Sequence, residues 1–477
     1  MCSQRVGGVL VVLAVTVAGP ARAIPAFARK YQTSCLTCHT VYPKLNPFGE
    51  AFRRNGYRFP GVDSDYIKTE QVALGQEANK KTFPKTVWPD WIPSSIPLSV
   101  GANGQAMVIP SKSSSAGEAG KSAEGSATHV TVQDLSAEAH LWAGAAFDDT
   151  ITAWFELTFG GGGVDIEHAQ LLFNDIVGPK HLFNIIVGHG FPNVTQYGPH
   201  SSYLADQMVT TVPVTAIYWG DSDPWTLVDN YTGLELNGVI AGRIDYAVGL
   251  NAGKIAHGLA PTDNFYGRVG FKVGGMRLDG EDSSGAPDPE RPWAETALGI
   301  YGFAYQATSR FDTTAGAPVP SDTANTYGIG ARGQLGSAEL NVGWYTESHG
   351  RGTDTGGPVN SKVLFGELSY VVFPWMVPAL RVETVWLTPQ GATTVHDLHI
   401  QPGIAFLIRP NIKLVAVFDY ESARGFPLTT AGPLTPGPQA YQGGASSWGP
   451  LQIAPLASGE PNRSEFESIG LYLAWAM

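Results

Sequence analysis

The chain has 477 residues, a formal net charge of −12 and 15% charged residues, set against 12 Trp, 18 Tyr, 21 Phe and 57 Gly. A typical soluble domain is about 25% charged; this one is too aromatic for disorder and too acidic for a general nucleic-acid binder. Beyond the N-terminus no run of ~20 apolar residues exists that would span a membrane as a helix, and the length suits one large domain plus a small one.

Residues 1–23 read as a secretory signal peptide. Arg5 is the positive n-region, Val6–Ala18 the apolar h-region and Ala21-Arg22-Ala23 the cleavage pattern. Removal also takes Cys2, so the mature chain holds only Cys35 and Cys38, followed at once by His39. C-x-x-C-H is the spacing of c-type haem attachment. Two thiols one turn apart can bond the two vinyl groups of one haem, and the adjacent imidazole becomes the axial iron ligand. A thioredoxin-like pair requires a βαβ context, and a structural zinc site requires two more ligands. No third cysteine remains, and the next histidine is His129. A plain disulfide leaves His39 without a role.

Phe48 and Phe52 are spaced i, i+4 and predict one helix face over the haem. No Met or His lies between His39 and Met107, so the sixth iron ligand is not supplied locally by either usual residue. His140 and His168 are weak candidates, and an ordinary pore-lining role outweighs a ligand role for each. Residues 24–60 carry six basic residues against Glu50 alone, a net +5, while residues 61–477 carry −19. That asymmetry predicts electrostatic docking of the small basic segment on the large acidic one.

From about residue 95, period-2 alternation dominates. Ile151, Ala153, Phe155, Leu157 and Phe159 share one face, opposite Thr152, Glu156 and Thr158. Leu135, Ala137, Ala139 and Leu141 lie opposite Glu138, His140 and Trp142. Similar alternation sets Phe265, Val269 and Phe271 against Arg268 and Lys272, Leu340 and Val342 against Glu339, and Leu380 and Val382 against Arg381 and Glu383; Arg332 joins the polar set. A soluble β-sandwich would also alternate. Three features favour a membrane barrel. The segments approach the ~9–11 residues of a spanning strand. Tight turns at Gly242, Leu335-Gly336-Ser337, Phe373–Met376 and Arg409-Pro410-Asn411 alternate with long polar stretches near 110–130, 190–229, 308–324, 348–361 and 423–464. The chain also ends on alternating Ile469, Leu471, Leu473 and Trp475.

The count is about 16 strands, with the short turns on the periplasmic side. A short Gly-rich loop from Gly160 on the outer side and a long periplasmic segment at 276–292 both sit awkwardly in that pattern. The expected organisation is a signal peptide (1–23), a monohaem cytochrome c segment of small α-helices (24–80), a linker (81–94) and an all-β transmembrane barrel (95–477).

Pro25-Ala26-Phe27-Ala28-Arg29, the haem motif, Pro43-x-Leu45-Asn46-x-Phe48-Gly49-x-x-Phe52 and Gly56-Tyr57 together resemble the outer-membrane fused monohaem cytochrome–porins, whose best understood members are iron oxidases. Phe373–Arg381 and Arg409–Leu414 look like that family's late strands. The resemblance implies one haem c on Cys35 and Cys38 with His39 as axial ligand, seated at or inside the periplasmic mouth of the barrel. It implies electron transfer across the bacterial outer membrane between an external donor such as Fe(II) and a periplasmic carrier, a cytochrome or a cupredoxin-like protein. The alternatives are a redox-gated or plugged solute porin without oxidase activity, and outward electron export to an external acceptor. No catalytic residue is assigned, and no nucleic-acid partner is expected.

Overall fold

The structure, a computed structural model, describes residues 26–61, 71–73, 77–86, 91–93, 98–109, 131–147, 150–160, 163–196, 202–204, 230–252, 254–255, 263–281, 288, 290–310, 321–350, 358–390, 394–424, 428–429, 432–433 and 463–476. The expected signal peptide lies outside the described residues.

Sixteen long strands among the described residues close into one antiparallel barrel. They are β1 (Leu98–Ile109), β2 (Thr131–Ala146), β3 (Ile151–Gly160), β4 (Gly163–Phe173), β5 (Asn184–Gly190), β6 (Tyr231–Ile240), β7 (Ile244–Asn251) and β8 (Asn264–Gly274). The second half is β9 (Glu295–Arg310), β10 (Ser321–Gly336), β11 (Ala338–His349), β12 (Val359–Tyr370), β13 (Met376–Pro389), β14 (Val395–Arg409), β15 (Ile412–Arg424) and β16 (Arg463–Ala476). Each strand pairs with its chain neighbour, and β16 closes on β1 in the register Ile469 with Val108 to Ala476 with Gly101. Closure leaves no unpaired sheet edge, the condition for crossing hydrocarbon with strands. Among the described residues no helix is long and apolar enough to cross a membrane.

The alternation reads out as lipid face against lumen face. Val269, Phe271, Leu340, Val342, Leu380, Val382, Ile469 and Leu471 are exposed on the outside. Arg268, Glu339, Arg381 and Glu383, from the opposite phase of the same strands, are buried. An apolar outer band over a polar interior is the transmembrane barrel pattern. Two strands run further than their apolar phase suggests. β9 and β10 pair from Glu295 with Gly336 out to Arg310 with Ser321, because ladder hydrogen bonds need no apolar side chains.

The tight turns at Gly242, Gly336, Phe373–Met376 and Pro410 join strand pairs at one end of the barrel, and Gly242 and Gly336 take the positive φ such turns require. The junction from Gly160 to Gly163 is the expected short loop at the opposite end. The connection from β8 to β9 is the expected long one at the short-turn end.

The N-terminal segment is not a separate lobe. Residues 26–61 sit inside the barrel at the short-turn end, because their partners are inward-facing wall residues. Thr152 donates its Oγ1–H to the Gly56 carbonyl at 2.8 Å. Phe27 and Tyr57 both stack on Trp154. Ala26 N bonds the Ser99 hydroxyl. The segment carries helix α1 (Ala26–Tyr31), helix α2 (Pro47–Arg54) and a short ladder of His39–Val41 with Lys44–Leu45. The ladder departs from the all-helical expectation. The turn at Tyr42-Pro43 folds the chain back before α2 can start.

Candidate functional site: the haem-attachment motif within the barrel lumen

Cys35 to Thr37 form a single 3₁₀ turn, capped by the Ser34 side chain accepting from Leu36 N. Cys38 and His39 follow directly. Neither cysteine is in a disulfide. Burial pushes the Cys35 thiol up and the Cys38 thiol up to about 12. His39 donates from Nδ1 to the Pro43 carbonyl at 3.1 Å. With Nδ1 engaged, Nε2 is the nitrogen that would bind iron, and a backbone carbonyl fixing the tautomer is the usual support for a ligating imidazole.

Asn46 ties this loop to α2. Its Nδ2 donates to the Leu36 and Thr37 carbonyls at 3.1 and 3.0 Å, and its backbone N donates to Cys38 O at 2.9 Å. Its Oδ1 accepts from Gly49 N at 2.9 Å and caps the helix. Pro47 stands in the first turn, where its missing N–H costs nothing. Gly49 faces the Cys38 carbonyl so closely that a Cβ would overlap it and Leu45 Cδ2. The pattern Pro-x-Leu-Asn-x-Phe-Gly is thus a physical unit that holds the thiols and the imidazole on one turn.

The aromatic residues pack beside it. Phe52 lies edge-on to Phe27, Tyr31, Tyr57 and Phe59, and Phe48 meets Phe59 at 5.1 Å. Burying each such ring stabilises the segment by about 1.5–3 kcal/mol. The residues fit a covalently held haem: two unbridged thiols on one turn, an oriented imidazole, a glycine where backbone must approach, and an aromatic bed.

Charge then fixes the segment to the wall. Lys44 Nζ meets Glu339 Oε1 at 2.6 Å, with both side chains buried. Arg332 holds Glu339 at 2.9 Å and Glu50 at 3.6 Å. Glu50 pairs with Arg54 at 3.1 Å, and Arg54 reaches Asp245 at 3.7 Å, itself paired with Arg268. These seven groups alternate in sign from segment to wall, back to the segment and out to the wall again. Burial would raise the Glu50 carboxyl, but Arg54, Arg53, Arg332 and Lys44 outweigh it and hold it well below the usual carboxylate range. Burial and Arg332 push Lys44 down to about 8 against the pull of Glu339, so it keeps most of its charge at neutral pH. The expected electrostatic docking is realised as this chain of buried pairs.

The long turn at the same end, through Asp279, and the β4–β5 turn, through Asp175 and Lys180, grip the segment's exit. Asn55 Nδ2 donates to Asp279 O at 2.9 Å, Arg58 pairs with Asp175 at 3.1 Å, and Lys180 Nζ donates to Gly61 O at 3.1 Å. The awkward length at 276–292 has this use in its described part. From the other end, residues 202–204 of the β5–β6 connection reach in. Ser202 and Tyr203 N donate to Glu367 at 2.8 and 3.2 Å. Lys44 Nζ lies 5.3 Å from the Tyr203 ring centroid, and Leu204 clusters with Val41.

His140 and His168 stand on the lumen faces of β2 and β4 with Glu156 between them. Glu156 Oε1 is 3.3 Å from His140 Nδ1, and Oε2 is 3.0 Å from His168 Nδ1. Sequence reasoning missed the roles of Asn46, Lys44, Tyr203 and Glu367. Asn46 was visible as a cap residue just before Pro47; the other three depend on partners at least 160 residues away and left no local signal.

No known protein-family profile matches the chain, and no curated protein matches it. Among solved structures the chain is similar to OmpT, an outer membrane protein of Vibrio cholerae in its trimer form, at 9% identity over 80% of this chain and 99% of that one, TM-score 0.48. It is similar to Salmonella typhi OmpF in complex with daunomycin, at 10% identity over 80% and 97%, TM-score 0.43. It is also similar to the outer membrane channel DcaP of Acinetobacter baumannii, at 8% identity over 80% and 96%, TM-score 0.42.

Proposed function

We propose that this chain is a porin-like barrel of the bacterial outer membrane, plugged by its own N-terminal segment, and that the segment carries one haem c on Cys35 and Cys38 with His39 as axial ligand. The observation that carries the reading is the seating of Cys35-x-x-Cys38-His39 inside the lumen, with the imidazole oriented by Pro43 O. When bound, haem c supplies a one-electron iron couple. The chain's own residues do the rest. Asn46 and Gly49 hold the attachment turn, and the Lys44–Glu339 and Arg54–Asp245 pairs anchor it to the wall. An apolar wall ~25 Å tall insulates the two compartments, so a redox centre in the lumen shortens the electron's path between an external donor and a periplasmic carrier.

Fe(II) is the donor the reading favours, with electrons running inward. Anaerobic Fe(II) added to the detergent-solubilised protein is expected to develop the reduced haem α-band; no change over minutes overturns the iron-donor reading. A strongly negative haem midpoint potential would instead support outward export.

The second reading is a plugged or redox-gated solute porin without oxidase activity. It is favoured by the closed porin-like barrel itself and by a lumen lined with charged side chains. It predicts single-channel conductance that changes with haem oxidation state and no acceleration by Fe(II).

A further inference from the structure

Lysine and arginine are confined to one part of the barrel wall, where acidic residues accompany them. Strands β1 to β5 carry five acidic residues and no lysine or arginine. Strands β6 to β16 carry ten lysines and arginines, among them Arg268, Arg332, Arg381 and Lys413. The acidic wall therefore has no fixed cation of its own. In its middle, Glu156 lies between the imidazoles of His140 and His168, each side chain about 15% exposed to the lumen. Asn103 donates to His140 Nε2 at 3.0 Å, and its own buried Oδ1 has no hydrogen-bond partner.

We infer that His140, Glu156 and His168 form a binding site for a divalent transition-metal cation entering from the outer mouth. Two imidazoles with one carboxylate select first-row transition metals over magnesium or calcium, which take oxygen ligands. The spacing suits the exchange. Ligands about 2.0–2.2 Å from a metal lie roughly 3 Å from one another, and the two N–O separations are 3.0 and 3.3 Å. Among the described residues no three such side chains already converge on one point. A cation must therefore displace the N–H protons and turn the carboxylate, which suits an ion in transit rather than a resident cofactor.

The site also adjoins the haem-bearing segment. His140 stacks on Trp142 at 5.3 Å, Trp142 meets Tyr42 at 6.4 Å, and Tyr42 meets His39 at 5.5 Å. His168 meets Trp154 at 6.3 Å, and Trp154 stacks on Tyr57 and Phe27. Two rows of rings thus join the cluster to the segment. That the bound cation is the electron donor rests on the function proposed above; that it binds here does not.

The test is calorimetric titration of the full-length protein in detergent with Zn(II), which carries no electron, and with Mg(II) as control. One Zn(II) per chain is expected, without competition from Mg(II). Glu156→Gln and the His140→Ala/His168→Ala pair are expected to weaken it by more than the roughly tenfold that losing an outer-shell partner costs. Unchanged heat-modifiable migration on gels reports that each variant still folds. Equal Zn(II) affinity in wild type and Glu156→Gln, or equal competition by Mg(II), overturns the site. A chain that binds Zn(II) as expected but carries no haem overturns the electron-transfer reading and leaves the site standing. Haem reduced by Fe(II) at the same rate in Glu156→Gln overturns the role of this cation as electron donor, whereas the site itself stands or falls on the Zn(II) titration.

Discussion

Lys44 Nζ lies 2.6 Å from Glu339 Oε1, and the two residues, 295 positions apart, are both withdrawn from solvent. One belongs to the N-terminal segment and the other to the barrel wall, so this contact holds the segment within the barrel. Removing one partner of a buried pair leaves an uncompensated charge, at a cost of about 3–5 kcal/mol. Glu339→Gln strands Lys44 and leaves Arg332 only Glu50 at 3.6 Å, and is expected to cost more than Lys44→Met. Proteolysis of residues 26–61 in intact vesicles and single-channel conductance are both expected to rise, in that order of variants.

Acid should loosen the same chain of ion pairs through Glu50, which pairs with Arg54 and Arg332. Its folded-state carboxyl titrates below its ordinary value of about 4.3. A depressed carboxylate contributes stability that is present above the ordinary value and lost as pH falls through the folded one. Trp fluorescence during acid titration, reporting Trp154 under Tyr57 and Phe27, is expected to change only below about pH 4.3. Glu50→Gln should make the protein less stable at neutral pH and flatten that acid limb.

The attachment turn has its own test. His39→Ala or Cys38→Ser is expected to abolish a normal pyridine haemochrome spectrum while the barrel still shows heat-modifiable migration. A full spectrum in both variants would overturn Cys38 and His39 as the attachment residues, and no haemochrome from the wild-type chain would remove haem from the proposal.

Gly49→Ala places a Cβ against the Cys38 carbonyl. Overpacking of this kind costs about 1–3 kcal/mol. Haem incorporation is expected to drop, or the midpoint potential to shift, with barrel stability unchanged.

Glu367 receives Ser202 and Tyr203 N, and Arg381 also donates to both Glu367 and Ser202. Glu367→Gln weakens three charge-assisted bonds at once, each worth about 1.5–3 kcal/mol. Conductance through the barrel is expected to increase and its noise to grow, because the strap over Lys44 and Val41 is no longer held.

Much of this protein is set by local chemistry and so is legible along the chain. Period-2 alternation in stretches such as Ile151–Phe159 already separates lipid face from lumen face, because a strand turns successive side chains to opposite sides. Cys35, Cys38 and His39 stand at the spacing of a haem-attachment motif, which is read from the chain alone, and Asn46-Pro47 announces the helix beside it. The +5 and −19 division predicts attraction between segment and barrel, since charge sums need no coordinates. Tertiary structure alone decides where the attraction is spent: Lys44 on Glu339, Arg54 on Asp245 and Arg58 on Asp175. It alone seats the segment within the lumen, brings Tyr203 over Lys44 and sets Glu156 between two histidines. Those contacts depend on barrel closure, which joins strands hundreds of residues apart and turns sequence-distant side chains toward one enclosed space.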